Sequence, residues 1–120
     1  MATAVAVGRF DQPDEVRPFQ GHGRAEMVEV GGQLVGRGTF EPGWRWSQDV
    51  KPIAGTQSCE VSHLGYCLSG RMRIHMDDGA TTEIGPGDVV AIPPGHDAEV
   101  LGDENCVLLD FGEISEYAKR

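Results

Sequence analysis

Alternating apolar and polar residues are clearest in the segment Arg71–Met76, where every second side chain is apolar. Arg73 and His75 belong to the polar half of this pattern, because residues two apart along a strand point to the same face. The turn-forming residues at 77–79 then lead into a second run at Ala80–Ile84. The pattern predicts a β-hairpin with a tight turn.

Similar short runs recur along most of the chain. Residues 25–40 predict a hairpin closed by a turn at Gly31 and Gly32. Further strands are predicted over residues 59–68, 89–92, 98–101 and 106–111. Residues 48–57 are predicted to form a loop, and only Glu113–Arg120 has a pattern that suits a helix.

The spacing of these runs predicts the fold class. Many short strands separated by turns at intervals of about eight to twelve residues are typical of an antiparallel sandwich or barrel. The sequence contains 17 glycines and 7 prolines, which suits tight turns and argues against a helical bundle. Its 120 residues suit one domain. We therefore expect a single all-β domain with antiparallel strands and little helix.

Charge and cysteine usage limit the partners and the compartment. The formal net charge is -9 and the pI is about 4.7, so the surface repels phosphate backbones and anionic lipids, and we expect neither nucleic acid nor a membrane as a partner. No stretch approaches the about 18 apolar residues of a membrane span. Cys59, Cys67 and Cys106 are widely spaced and odd in number, which favours free thiols in a reducing cytoplasm.

Two strings of residues carry a family resemblance. Gly65–Ile74 contains a tyrosine, two apolar residues, a serine and a glycine in succession, and Ile84–His96 contains Gly-Asp-Val followed by Ile-Pro-Pro-Gly. In order and spacing, the two strings resemble the small single-domain cupins, over about residues 40 to 111. The resemblance implies a double-stranded β-helix, or jelly-roll, small barrel. It also implies a homodimer in which the partner subunit covers edge strands.

On this basis the chain divides into three parts. Residues 1–24 are expected to form an N-terminal arm or edge strand, residues 25–112 the cupin barrel, and residues 113–120 a C-terminal tail or short helix. The glycines and prolines of the two strings are turn-forming residues of such a barrel, so they indicate architecture rather than chemistry.

The resemblance also implies a metal site, whose usual ligands are three histidines and a glutamate. Counted from Gly70 and Gly95, the family's spacing places these ligands at Gln57, Cys59, His63 and Ala98. None of the four positions carries the expected residue. The metal chemistry of the family therefore does not transfer directly, because a divalent ion needs three or four converging N, O or S donors.

A rewritten metal site is one hypothesis for this region. His63 occupies the position of the usual glutamate, and Cys59 precedes it on the same face of the predicted strand. His96 lies close to the position of the lost histidine. Cys59, His63 and His96 are therefore candidate ligands of a divalent transition metal such as zinc, iron or manganese, and no organic cofactor is implied. The alternative is that Cys59 only fills the barrel, as buried free cysteines usually do.

A metal-free pocket is the rival hypothesis. His63 and His96 are then candidate catalytic residues, together with Tyr66 as a hydrogen-bond partner. Arg73 and His75 are candidate ligand-binding residues for an anionic or oxygen-rich molecule. Both of these side chains also suit a solvent-exposed outer strand face.

Trp44 and Trp46 are further candidates for ligand binding. They flank Arg45 and share a face if the segment is extended. We expect one of them to cap the barrel mouth and the other to pack outside, with Arg45 stacked against a ring.

Three classes of function remain open at this point. The first is a small-molecule enzyme, such as an isomerase, cyclase, lyase or dioxygenase-like protein, acting in the barrel mouth with or without a metal. The second is a module that binds or senses a small molecule without turnover. The third is a barrel filled by its own side chains that serves protein interaction alone.

Overall fold

The computed structural model describes residues 4–119, in which lie nine strands and two short helices. The strands are β1 (Glu15–Pro18), β2 (Gly23–Val30), β3 (Gln33–Phe40), β4 (His63–Ser69), β5 (Arg71–Met76), β6 (Thr81–Ile84), β7 (Val89–Ile92), β8 (His96–Leu101) and β9 (Cys106–Asp110). The helices are α1 (Trp46–Asp49) and α2 (Lys51–Ala54).

The strands form two sheets around one core. The larger sheet has the order β1-β2-β3-β9-β4-β7, and the smaller sheet has the order β6-β5-β8. All of the pairings between these strands are antiparallel. The strand latest in the sequence, β9, therefore lies inside the larger sheet, between β3 and β4. The prediction of an all-β, antiparallel fold with little helix is confirmed.

Both predicted hairpins are present. β2 pairs with β3 across Gly31 and Gly32, and β5 pairs with β6 across residues 77–79. In β5, the side chains of Met72 and Ile74 are buried in the core between the sheets. The alternation in the sequence therefore identified the inward face of this strand.

The predicted loop over residues 48–57 is wrong in part, because α1 and α2 occupy much of it. Trp46 anchors the first helical turn by burying its side chain in the core. Pro52 stands in the first turn of α2, where N–H groups make no hydrogen bond within the helix, so its lack of an N–H costs nothing. Gly55 ends that turn in the left-handed conformation.

The strand predicted from Cys59 begins at His63 instead. Cys59 forms an isolated bridge with His96, and its N–H donates to the His96 carbonyl at 2.7 Å. The backbone of Cys59 thus pairs with the smaller sheet before the chain enters β4 of the larger sheet. Alternation along one segment does not reveal such a crossing between sheets.

The segment Glu113–Lys119 forms bends and turns rather than the short helix that was one of two expectations for it. Ile114, Tyr117 and Ala118 are buried against the core, and Ala118 has a positive φ of 52°. The guanidinium of Arg17 donates to the carbonyls of Ile114 and Tyr117 at 2.8 and 2.9 Å.

Two further observations concern the whole described chain. The three cysteines are buried free thiols. Within residues 4–119, no helix has the length and apolar character needed to cross a membrane. The cytoplasmic location and the division of the chain into arm, barrel and tail stay predictions.

Gly70 links β4 to β5 at a point of close backbone approach. Its φ is 74°, and a Cβ atom there would lie 2.4 Å from the Asn105 carbonyl oxygen. We expect Gly70→Ala to lower the free energy of unfolding by more than about 2 kcal/mol, because left-handed strain adds to a backbone clash. Urea denaturation measures the loss.

Gly55→Ala is the matched control for this substitution. Gly55 has a φ of 73°, and a Cβ atom there would meet nothing within 4 Å. Only the strain of about 1–2 kcal/mol is therefore expected. Equal losses in the two variants would show that the close approach at Gly70 is unimportant.

Candidate metal centre

Three side chains that can bind a metal converge inside the barrel. Cys59, His63 and His96 each offer one donor atom, and these atoms all lie within 4.8 Å of one another. His63 is the first residue of β4 and His96 the first residue of β8. The backbone bridge between Cys59 and His96 fixes the thiol beside the two rings.

A carboxylate orients the ring of His63. The Nδ1 atom of His63 lies 2.5 Å from an Asp110 carboxylate oxygen, and its Nε2 atom lies 3.6 Å from the Cys59 sulfur. Because an ionised carboxylate only accepts, Nδ1–H is the donor and Nε2 is directed at the thiol. Asp110 therefore acts on His63 as outer-shell carboxylates act on metal-bound histidines.

A backbone carbonyl orients the ring of His96 in the same way. Its Nδ1–H donates to the Pro93 carbonyl oxygen, with the two atoms 2.9 Å apart. Nε2 is then the nitrogen of His96 that is free to bind. The centroids of the His63 and His96 rings are 5.3 Å apart. Both imidazoles thus reach the cluster with their tautomers set by groups outside it.

The electrostatics of the cluster favour a thiolate beside an imidazolium. Burial raises the pKa of Cys59, but hydrogen bonds from His63 and His96, and their charges, outweigh burial and lower the pKa from 9.0 to about 7. Burial lowers the pKa of His63, but hydrogen bonds and charges from Asp110 and Cys59 raise the pKa from 6.5 to about 9. By contrast, burial raises the pKa of Cys106 to about 12.

The distance between two of the three donors suits a zinc ion. Zn–S and Zn–N bonds of about 2.3 and 2.0–2.1 Å at tetrahedral angles separate S from N by about 3.6 Å. The sulfur of Cys59 and Nε2 of His63 are 3.6 Å apart. Among residues 4–119 the group has three donors, and three protein ligands are typical of catalytic rather than structural zinc.

A cavity of about 50 Å³ lies beside His63 and His96, and apolar side chains make up most of its lining. Trp44 and Trp46 both line it and are both buried. The expectation that one tryptophan packs outside is therefore wrong, because residues 44 and 46 share one inward face. Arg45, expected to stack on a ring, instead forms an ion pair with Glu99 at 3.1 Å.

The C-terminal tail, defined as Gly112–Lys119, contributes to this cavity. Ile114 and Tyr117 are among its lining residues, and the ring of Tyr117 meets that of His63 edge-on at 5.2 Å. Burial and the charges of Cys59 and Asp110 raise the pKa of Tyr117 well above 10.0. Arg17 holds the tail in place through its two carbonyl contacts.

Two candidate ligand-binding residues lie on the outer face of the smaller sheet, away from the cluster. Arg73 pairs with Glu83 at 2.6 Å, and Nε2 of His75 lies 2.5 Å from a Glu99 oxygen. This placement matches the alternative of an outer strand face.

Tyr66, a candidate catalytic residue, lies on the outer face of the larger sheet and is 38% exposed. Leu64 and Leu68 on the same strand are also exposed, as is Val89, which pairs with Tyr66 from β7. Exposed apolar side chains grouped in this way suit an interface with another chain. The homodimer implied by the resemblance stays a prediction.

Two residues of the site were missed in the sequence. Asp110 and Tyr117 reach His63 from the C-terminal part of the chain. The only local signal for Asp110 is that the apolar run Cys106–Asp110 ends in an acid. No local signal distinguishes Tyr117 from an ordinary surface residue.

Comparisons with known proteins place the chain in a family. The family model described as Cupin domain matches residues 48–112. No curated protein matches the sequence. Among solved structures, the polyketide cyclase RemF from Streptomyces resistomycificus is similar at 20% identity and a TM-score of 0.60, over 87% of this chain and 75% of that one.

Two other similar structures have the same fold. Oxalate decarboxylase OxdC from Bacillus subtilis shares 19% identity at a TM-score of 0.64, over 96% of this chain but 31% of its own. KdgF from Halomonas sp. shares 18% identity at a TM-score of 0.57, over 82% of this chain and 87% of its own. At these identities the likeness shows the fold alone. Since the family model matches more than half of the residues, and the strands form the expected antiparallel barrel, the chain belongs to the cupin family.

Proposed function

We propose that this cupin binds and acts on a small organic molecule in the barrel mouth, at a divalent metal ion held by Cys59, His63 and His96. The observation that carries the proposal is the convergence of three donor atoms beside a cavity. Both imidazoles have their Nδ1 atoms engaged outside the cluster, by Asp110 and by Pro93, which leaves Nε2 as the nitrogen that can bind a metal. Metal-binding histidines commonly have this arrangement.

Zinc is the cation that this donor set favours. A thiolate with two imidazoles suits zinc, whereas manganese prefers oxygen ligands and non-haem iron is commonly held by two histidines and a carboxylate. A divalent ion at this position supplies Lewis-acid polarisation of an oxygen atom on the bound molecule.

The protein's own residues supply orientation and a dry environment. Asp110 and the Pro93 carbonyl fix the two rings, and the mostly apolar lining limits the water around the donors. Electrostatic interactions are stronger in such an environment than in bulk water.

The cavity limits the size of the bound molecule. Its volume of about 50 Å³ is several times the about 10–15 Å³ that one water needs, and it is too small for a sugar or a polyketide. A larger molecule does not fit unless part of the lining, such as the C-terminal tail, moves. This open space argues against a barrel completely filled by its own side chains.

The comparisons support catalysis over passive binding. RemF is a polyketide cyclase and OxdC is an oxalate decarboxylase, so barrels of this kind carry active sites in those proteins. Strongly shifted pKa values, as at Cys59 and His63, are also common at catalytic sites.

A metal-free site is the second candidate. Cys59, His63 and Asp110 are arranged as a thiol nucleophile, a base and a carboxylate that orients the base. In this alternative the Cys59 thiolate adds to a carbonyl carbon of the ligand, the π electron pair of the C=O bond moves to the oxygen, and that oxygen takes a proton from His63. Metal content separates the two candidates.

We expect protein purified without an affinity tag to bind about one equivalent of zinc after dialysis against a zinc salt; iron and manganese salts are tested in parallel dialyses. Cys59→Ser, His63→Ala and His96→Ala should each lose most of the metal, because two donors hold an ion poorly. Asp110→Asn should bind zinc about 10–100-fold more weakly, because the outer shell of His63 is altered. Elemental analysis and competition with a chelator measure these effects.

His75→Ala is the matched control, since His75 lies on the outer face with Glu99. Its zinc content should equal that of the unaltered protein. Less than about a tenth of an equivalent of any of the three metals in the unaltered protein would rule out the metal centre and leave the metal-free candidate.

Zinc affinity should rise with pH. Below about 7 both Cys59 and His63 must release a proton to bind, and between about 7 and about 9 only His63 must do so. Calorimetry in buffers of different ionisation enthalpy should therefore show about one fewer proton released per zinc near pH 8 than below pH 7, the proton of Cys59. A proton release that does not vary over this range would contradict the predicted protonation states.

Arg17→Met should loosen the C-terminal tail and speed the release of zinc to a chelator several-fold, because the variant loses two buried hydrogen bonds from a charged group. Arg24→Met, on the exposed face of β2, is the control. Release is followed well below the unfolding transition of each variant. Identical rates for Arg17→Met and the unaltered protein would mean that the tail does not control access.

A further inference from the structure

Two indole N–H groups are buried at the cavity without a partner. Trp44 and Trp46 are 3% and 2% exposed, and both line the cavity beside His63 and His96. Among the atoms of residues 4–119, neither Nε1 has a hydrogen-bond partner. Native proteins pair nearly all buried donors, so two unpaired donors at one cavity point to a guest that accepts from them.

The surroundings of the tryptophans do not supply an acceptor. The ring of Trp44 packs against Phe40 at 4.6 Å and against Phe19 at 5.9 Å between centroids. A phenylalanine would fill such apolar surroundings without a polar atom to satisfy. The indole nitrogens are therefore the unexplained polar groups of the cavity.

We propose that the cavity takes a short carboxylate whose oxygens accept hydrogen bonds from Nε1 of Trp44 and Trp46. A carboxylate has acceptors only, and its charge strengthens each hydrogen bond. The volume of about 50 Å³ admits only a few heavy atoms. Met72, Val90 and Leu108, which also line the cavity, suit a short aliphatic chain. The inference rests on the small-molecule site of the proposed function and names its ligand class.

Intrinsic fluorescence is a direct measurement of this binding. The sequence contains 2 tryptophans, and both line the cavity, so indole emission reports on the cavity alone. Propionate and acetate are the probes, and propylammonium, which has a chain of similar length but no acceptor, is the comparison. We expect a saturable change in emission with the two carboxylates and none with propylammonium.

Single substitutions then assign the donors. Trp44→Phe and Trp46→Phe should each weaken propionate binding about tenfold, because each removes one charge-assisted hydrogen bond while keeping an aromatic ring. Each variant retains one tryptophan as the reporter. Leu68→Ala, which shortens an exposed side chain on the outer face of the larger sheet, is the control and should leave the affinity unchanged.

Nuclear magnetic resonance gives a second measurement that needs no variant. In the unaltered protein, the two indole N–H resonances should both move downfield as propionate is added, in step with the fluorescence change. Resonances that stay in place at saturating propionate would overturn the inference, even if a phenylalanine variant failed to fold. A propionate affinity that is unchanged in both phenylalanine variants would also overturn it.

The same titrations on zinc-loaded and zinc-free protein separate this inference from the metal centre. If propionate binds only the zinc-loaded protein and the indole resonances do not move, the carboxylate binds the ion and not the indole N–H groups. The inference then fails while the proposed metal centre stands. If zinc does not bind but the indole resonances respond to propionate, the metal centre fails and the carboxylate site stands. The absence of a saturable response in both forms overturns the carboxylate site.

Discussion

The insertion of β9 between β3 and β4 is the constraint on which the rest of the molecule depends. β9 pairs antiparallel with both neighbours and so completes the larger sheet. It also brings Asp110 to His63, 47 residues earlier in the chain. The C-terminal tail leaves β9 next to the cavity, where Arg17 of β1 holds it. This one strand therefore completes the larger sheet, orients the candidate metal ligand His63 and leads the C-terminal tail to the cavity.

The polar cluster lowers the free energy of unfolding relative to a core filled with apolar side chains. Placing a thiol and two imidazoles among apolar side chains requires their desolvation, and this is tolerated only when each polar group finds a partner. Asp110 and the Pro93 carbonyl supply partners for the two rings, and the rings supply partners for Cys59. Leucine and valine would fill the same space without these requirements. This cost is consistent with the proposed functional site.

Local features of this chain could be predicted from its sequence, and features set by distant strands could not. The hairpin of β5 and β6 was predictable because alternation and turn residues lie within one short segment. Cys59 and His63 do meet, but the bridge from Cys59 to His96 places the thiol, rather than a shared strand face. Asp110 and Tyr117 depend on the register of β9 and on the path of the tail, which no local pattern specifies.

The order of the strands also affects how the site comes into existence. Cys59 and His63 are 4 residues apart, whereas the bond from His63 to Asp110 spans 47 residues. Contacts between distant residues form slowly, because the loops between them must close first. Until β8 and β9 have docked, the nascent fold contains only a fragment of the centre. An ion captured by the complete centre would therefore act late in folding, by slowing the opening of a barrel that has already closed.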